Sequence, residues 1–230
     1  MFMKKTIIII IISLIVSFNA KSQVIKGVII AGANASQVDG DEVYGYYHFG
    51  ANVGLGAIIP FTERWSVSIE TLFNQKGGKG NFLKLIDSLG GLYKINLNYV
   101  EVPVLIHFED KKILNVGIGV SWARLVGINE WENGKQVNTT SISGPYTKND
   151  FNILADVSVR LYRQLKLNFR FAYSIAKIRE RTYSDYNNNT WNRKQYNNML
   201  TLRLLYVFNE KFIKNEKKQG ETLEEEKNNK

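Results

Sequence analysis

Apolar and polar residues alternate with a period of two over long segments of this chain. In Tyr47–Phe61 the odd positions are aromatic or aliphatic, whereas the even positions are mainly Gly, His and Asn. Because successive side chains of a strand point to opposite faces, this alternation predicts strands with one apolar and one polar face. The segments with this pattern are Gly27–Gln37, Tyr47–Phe61, Trp65–Lys76, Lys94–Phe108, Ile113–Val126, Phe151–Tyr162, Leu165–Ala176 and Tyr196–Phe208.

The connections between these eight segments alternate strictly between short and long. The short ones are Phe61–Arg64, Glu109–Lys112 and Arg163–Gln164, and the long ones are Val38–Tyr46, Gly77–Tyr93, Gly127–Asp150 and Arg179–Lys194. Outer-membrane barrels combine an even number of antiparallel strands with short periplasmic turns and long extracellular loops. We therefore predict an all-β fold, an eight-stranded antiparallel up-and-down transmembrane β-barrel, over residues 23–208.

A soluble lipocalin-like barrel is the rival fold, because it also has eight strands. In that fold the apolar face would point inward. Here the apolar face is bulky and almost free of charge, whereas the polar face is rich in Gly, Ser and Asn, as a narrow filled interior requires. Aromatic residues also gather at both strand ends, which predicts two interface girdles in a membrane.

The segment Lys94–Phe108 departs from simple alternation. Its apolar residues are odd-numbered up to Tyr99 and even-numbered from Val100 onward. A slip of one residue turns every following side chain to the other face, so we predict a β-bulge near Tyr99–Val100.

The N-terminal segment has the pattern of a targeting signal. Lys4 and Lys5 precede the apolar stretch Ile7–Phe18, and small residues follow it. The stretch is too short for a membrane-spanning anchor, which needs about 20 apolar residues. We therefore predict that residues 1–22 are a signal peptide.

The C-terminal segment changes composition after Phe208. Residues 209–230 are dense in Lys, Glu and Asn and have few large apolar side chains, so they cannot form a core. We predict that they form a charged periplasmic tail that is separable from the barrel.

Five charged residues lie on the predicted inward faces at a similar distance from the short turns. They are Glu70, Glu101, Asp156, Arg170 and Arg203. Because an isolated buried charge is very costly, these acids and arginines should pair. We predict a structural charge belt that fills the lumen.

Chemistry-bearing residues are few. The chain has no cysteine, which excludes disulfides, thiolate metal sites and a Cys nucleophile. His48 and His107 lie at opposite ends of the predicted barrel, each expected at a rim, and cannot share a site. We predict no catalytic, cofactor-binding or metal-binding residues.

The basic excess limits the partners. After the predicted cleavage, 27 basic and 21 acidic residues remain, and the basic residues are scattered rather than gathered in one stripe. This arrangement argues against nucleic acid. It suits the anionic lipids and lipopolysaccharide of an outer membrane.

Two motifs resemble a known family. Leu97–Ile106, with the sequence LNYVEVPVLI, resembles a recurrent strand of the PorT-like outer-membrane β-barrel family of Bacteroidota, and Ile69–Gly77 resembles its preceding strand. The similarity covers nearly all of residues 23–208. It implies an outer-membrane barrel, and the family's namesake implies an association with protein secretion and surface export.

These features favour a non-enzymatic outer-membrane barrel that serves as a surface-binding or envelope- and secretion-associated scaffold. An envelope protein partner is possible on this view, because the long loops are rich in aromatic and amide side chains. We expect the long loops to lie outside the cell. The N-terminal and C-terminal ends of the barrel segment, and the tail, should lie in the periplasm. The alternative function is a narrow pore or a small-solute or proton transporter.

Overall fold

The computed structural model describes residues 25–81, 92–111, 113–132, 134–137, 144–184, 187 and 189–210. The predicted signal peptide and all of the predicted tail except its first two residues lie outside these ranges. Within them, no helix is both long enough and apolar enough to span a membrane.

The described ranges contain ten strands. They are β1 (Lys26–Asp39), β2 (His48–Pro60), β3 (Trp65–Asn81), β4 (Leu92–Asp110), β5 (Leu114–Glu132), β6 (Lys135–Val137), β7 (Asn149–Tyr162), β8 (Leu165–Ser174), β9 (Arg179–Ser184) and β10 (Thr190–Val207). Eight of them form a closed antiparallel ring in the order β1-β2-β3-β4-β5-β7-β8-β10, and β10 pairs back with β1. The predicted eight-stranded up-and-down barrel is confirmed.

The outer surface of the ring is apolar. Leu55, Ile118 and Leu202 expose 63%, 70% and 55% of their surface. Rings cluster at both ends of this surface: Trp65 packs edge-on against Phe108 at 5.1 Å near the short turns. An exposed apolar band between aromatic girdles is the surface that a lipid-facing barrel requires.

The polarity of the two faces reverses near the long-loop end. In β4 the odd-numbered residues from Tyr93 to Tyr99 are apolar, point inward and are at most 1% exposed. The odd-numbered residues continue to point inward as far as His107. The change of parity at Tyr99–Val100 therefore marks the point where the strand leaves the apolar band, and the predicted flip of β4 is wrong.

The predicted register shift is present, but its extra residue belongs to β5. The β4–β5 pairing steps from Asn98 and Gly127 to Tyr99 and Leu125, which skips Val126. A bulge of this kind exchanges the two faces of the strand that contains it. The inward positions of β5 accordingly change from odd to even numbers after the shift.

The strands continue beyond the band at the long-loop end. Here β3, β4, β5 and β10 are extended, β6 pairs with β5, and β9 pairs with β10. We call this part the platform. Its buried core consists of Val38, Val43, Tyr93, Ile95, Leu97, Tyr99, Ala123, Leu125, Tyr146, Ile178 and Tyr183.

Candidate functional site

A buried ionic cluster crosses the lumen between the short-turn end and the middle of the barrel. Arg170 Nη1 and Nη2 each donate to a carboxylate oxygen of Glu70 at 2.9 Å, and Nη2 also donates to Asp156 Oδ2 at 2.7 Å. Arg203 Nη1 donates to Glu70 Oε2 at 2.9 Å. We call these four residues the central cluster. Two acids and two arginines stabilise each other here, where any one of them alone would be costly to bury.

Glu101, the fifth residue of the predicted belt, lies in a second cluster nearer the long loops. Lys76 Nζ is 3.2 Å from Glu101 Oε2 and 3.1 Å from Asp150 Oδ2. Glu101 pairs in register with Leu72, which is two residues further along β3 than Glu70. Strand stagger therefore places Glu101 outside the central cluster. We call Lys76, Glu101 and Asp150 the upper cluster.

Lys76 and Asp150 were missing from the predicted belt. Lys76 is fully buried, and Asp150 accepts a hydrogen bond from Ser174 Oγ at 2.7 Å. Parity could have identified both residues. Lys76 shares the even numbering of Glu70, and Asp150 shares that of Asp156, but both lie at the edges of the predicted strands.

A third cluster lies at the short-turn mouth. Glu210 Oε1 lies 2.9 Å from Lys166 Nζ, 3.2 Å from Lys26 Nζ and 3.0 Å from Arg160 Nη2. Burial raises the pKa of the Glu210 carboxyl, but the three cations outweigh it and hold that pKa below its usual value. We call these four residues the mouth cluster. The boundary at Phe208 had assigned Glu210 to a separable tail, whereas the structure places its carboxylate in the barrel mouth.

The platform core contains a buried arginine. Arg179 Nη1 donates to Glu130 Oε1 at 2.7 Å, and Nη2 donates to Tyr93 Oη at 3.0 Å. The guanidinium carbon lies 4.5 Å from the centre of the Tyr146 ring. Burial lowers the pKa of Arg179, but these neighbours raise it by more. The arginine thus links three strands of the platform while remaining charged.

Asp41 is a second unusual charge in the platform, on the loop between β1 and β2. It is 1% exposed, and its Oδ1 accepts a hydrogen bond from the Val43 backbone N–H at 2.9 Å. Among the described residues its Oδ2 has no hydrogen-bond partner. Burial raises the pKa of Asp41 to about 7, although Val43 and Arg179 act in the opposite direction.

Both histidines are buried rather than placed at a rim. His48 Nδ1 lies 3.0 Å from Ser36 Oγ, and His107 Nε2 lies 2.7 Å from Ser68 Oγ. Each points inward because its position has the inward parity of its strand. They remain at opposite ends of the lumen.

A cavity of about 290 Å³ separates the central cluster from the mouth cluster. It extends to the short turn at Thr62–Arg64, and on the other side it stops at Glu70 and Arg203. Within the part of the chain that the structure describes, no group of three or more His, Asp or Glu residues is arranged to hold a metal ion. The described residues thus combine a lumen crossed by buried charges, a cavity near the short turns and an ordered platform.

Comparisons with solved structures give matches over most of the chain. It is similar to Ail, the attachment invasion locus protein of Yersinia pestis, in complex with the heparin analogue sucrose octasulfate. The identity is 14%, the match covers 80% of this chain and 99% of Ail, and the TM-score is 0.46. It is also similar to a major outer membrane protein of Thermus thermophilus, at 13% identity over 80% and 100% of the two chains and a TM-score of 0.46.

The outer membrane protease OmpT of Escherichia coli matches at 12% identity over 84% of this chain and 100% of OmpT, with a TM-score of 0.35. No curated protein matches the chain significantly. The model of the outer membrane protein beta-barrel domain family matches residues 19–180. Together with the closed ring and its apolar outer surface, this match shows that the chain belongs to the outer membrane protein beta-barrel domain family.

Proposed function

We propose that the protein is a surface-binding or envelope-associated scaffold of the bacterial outer membrane, with a principal role that is not enzymatic. The observation that carries the proposal is the platform. A barrel that only spans a membrane has no need of strands that continue past the girdle around a second buried core. Such an extension holds side chains in fixed positions, as a binding surface requires. The long loops are then extracellular, and the first and last residues of the barrel and the tail are periplasmic.

The likeness to one branch of the family supports an envelope role. The motifs Leu97–Ile106 and Ile69–Gly77 lie on adjacent strands, β4 and β3, and pair with each other in register. On these motifs we propose that the chain is PorT-like within its family. A secretion-associated envelope protein is one partner that the platform could serve.

The outward side of the platform offers cations. Lys79 and Lys94 are direct register partners on β3 and β4, and Lys94 Nζ lies 5.1 Å from the centre of the Trp131 ring. Like charges placed opposite each other on neighbouring strands are destabilising unless an anion lies between them. Both lysines lie beyond Phe73 on the long-loop side. With the long loops outside the cell, as proposed, they face the polar region of the outer leaflet. We propose that they bind the anionic groups of lipopolysaccharide.

Binding is tested with the barrel reconstituted in nanodiscs that contain or lack lipopolysaccharide. We expect lipopolysaccharide to raise the melting temperature of the wild type, and the double variant K79E/K94E to lose most of this increase. The matched control is K135E/K148E, which makes the same charge change on exposed platform lysines elsewhere. Equal responses of the two double variants would contradict the proposed site.

A narrow pore or transporter is the competing function. The central and upper clusters lie in series across the lumen, and their charged residues are all at most 6% exposed. Planar-bilayer recording distinguishes the two functions. We expect no steady conductance, and a stable open level would favour the pore.

A further inference from the structure

The cavity near the short turns is lined by a serine, a histidine and an aspartate from three different strands, and the histidine ring lies between the other two side chains. Ser68 Oγ is 2.7 Å from His107 Nε2, and His107 Nδ1 is 3.6 Å from Asp156 Oδ1. The three residues are 2%, 7% and 4% exposed, respectively. At 3.6 Å these two atoms face each other without a hydrogen bond, and neither has a hydrogen-bond partner within the described residues, although Asn115 also lies beside the ring.

The sheet register brings these groups together. His107 on β4 pairs with Gly117 on β5, and Gly117 pairs with Asp156 on β7, so the three residues form one row. A Cβ atom at Gly117 would lie 2.4 Å from His107 Nδ1 and 2.6 Å from Asp156 Oδ1. The absence of a side chain at Gly117 therefore allows the imidazole and the carboxylate to approach each other above β5.

The carboxylate is fixed in this orientation by the central cluster. Arg170 Nη2 donates to Asp156 Oδ2 at 2.7 Å, which leaves Oδ1 directed toward the histidine. A serine hydroxyl beside an imidazole whose other nitrogen faces a carboxylate has the constellation of an activated nucleophile. The base accepts the hydroxyl proton, and the acid orients the base.

We propose that Ser68 is a nucleophile activated by His107, that Asp156 positions this histidine, and that the cavity accepts carboxylic esters with a short apolar acyl group. This activity goes beyond the binding role proposed above and departs from the sequence-based expectation of no catalytic residue. It concerns the opposite end of the barrel from the platform.

The reaction is an acyl transfer to water. Ser68 Oγ attacks the ester carbonyl while His107 Nε2 takes the hydroxyl proton. The bond to the alcohol oxygen breaks, and His107 returns the proton to the leaving alcohol. Water then attacks the acyl-serine with His107 again as base, which releases the carboxylic acid and restores the serine.

The lining of the cavity indicates the substrate class. One part of the lining is apolar and includes Val28, Ile58 and Leu205, which pack together. The volume of about 290 Å³ is at the small end for ligand pockets, which suits a short acyl group. Lys26 and Lys166 of the mouth cluster also line the cavity, and because three cations share the one carboxylate of Glu210, the cluster favours an anionic part of the same molecule.

A fluorophosphonate probe tests the nucleophile directly on the full chain folded in detergent. Attack by Ser68 Oγ on phosphorus expels fluoride and passes the serine proton to His107, so the protein gains the mass of the probe minus HF. We expect peptide mapping to place this mass on Ser68. S68A should abolish this labelling because it removes the nucleophile, and H107Q should reduce it at least about 100-fold, since a general base contributes about that much.

Ser158 provides the matched control. It lines the same cavity and bonds to Asn168 at 2.8 Å rather than to His107, so S158A should be labelled like the wild type. Hydrolysis of p-nitrophenyl butyrate should also be retained by S158A and lost in S68A and H107Q. G117A should lose this hydrolysis although Ser68 is unchanged. An unlabelled wild type, or equal labelling of S68A, would overturn the proposal. Lipopolysaccharide binding by S68A should be unchanged, which separates this test from that of the platform.

Discussion

Single inward residues decide how this barrel fills its interior. Arg203 is 1% exposed and contacts both acids of the central cluster. A planar guanidinium can donate to several acceptors at once, which a lysine amine cannot do in the same fixed geometry. The two arginines therefore join strands that are not neighbours in the ring.

Arg170 is the residue whose loss should be most damaging. R170L leaves Glu70 without its bidentate partner, and Arg203, at 3.5 Å, is then the one arginine of the central cluster near Asp156. Removing one member of a buried ionic group typically costs about 3–5 kcal/mol. We expect a lower melting temperature of the detergent-folded barrel, followed by circular dichroism. R124L is the control, because Arg124 is exposed and bonds only to Asn149 at 3.0 Å among the described contacts. Equal melting of R170L and wild type would refute this assignment.

Asp41 should make the stability of the platform depend on pH. Its pKa in the folded state is about 7, against an ordinary value of 3.8, so the folded chain holds a proton that the unfolded chain releases. The stability that depends on this proton is present at acid pH and is lost as pH rises toward 7. The test compares melting temperatures at about pH 5 and about pH 8. We expect the difference between them to be smaller for D41N, which keeps the Oδ1 acceptor, than for the wild type. D110N, at the other end of the barrel, should show the same difference as the wild type. If D41N also shows the wild-type difference, the prediction is contradicted.

At the scale of the elements, the long strands have two sections with opposite polarity. In β4, lipid meets the outward side chains of the section that ends at Phe108, whereas water meets those of the section that begins at Leu92. In β5 a bulge lies at Val126, because the inward parity of this strand changes between the two sections. The apolar residues of β4 change parity without any flip of the backbone, since the surrounding medium changes instead.

Glu210 should stabilise the barrel at the point where β10 ends. A chain that stops after Phe208 leaves Lys26, Arg160 and Lys166 without the carboxylate they share, whereas a chain that stops after Glu210 keeps it. We expect the shorter chain to melt at a lower temperature and the longer one to match the full chain. E210Q in the full chain should reproduce the defect of the shorter chain. If both truncated chains melt at the same temperature, Glu210 does not stabilise the barrel, and the boundary between barrel and tail lies at Phe208.

For the whole molecule, one closed ring separates two chemically different ends. The short-turn end has a cavity and the mouth cluster, and the long-loop end has a platform with its own core. The central and upper clusters lie between them. Binding at one end can therefore be altered without changing the other, as the variants of the platform and of Ser68 should show.

Labelling of intact cells tests the orientation of the barrel. We expect a tag within residues 127–150 to be reached by an antibody on intact cells, because this long connection belongs to the platform end. A tag after Phe208 should be reached only after the outer membrane is permeabilised. The opposite accessibility would reverse the proposed topology.

The eight strands of the ring, their order and the lipid-facing surface could be predicted from the sequence because they depend on local patterns, whereas β6 and β9 lie in segments that had been predicted as loops. Alternation determines which side chains share a face, and the lengths of the connections determine which ends meet. Both kinds of information are contiguous in the chain, as in Tyr47–Phe61 and its following short turn. All five predicted belt residues are buried inward-facing residues for this reason.

The contacts across the lumen were decided by the tertiary structure alone. Whether Glu101 meets Arg170 or Lys76 depends on the stagger between strands, and a difference of two residues in register is invisible in the alternation. The approach of His107 to Asp156 depends on a glycine of the strand between them. The sequence determines which face each residue occupies, whereas closure of the ring determines which residues on that face lie opposite one another.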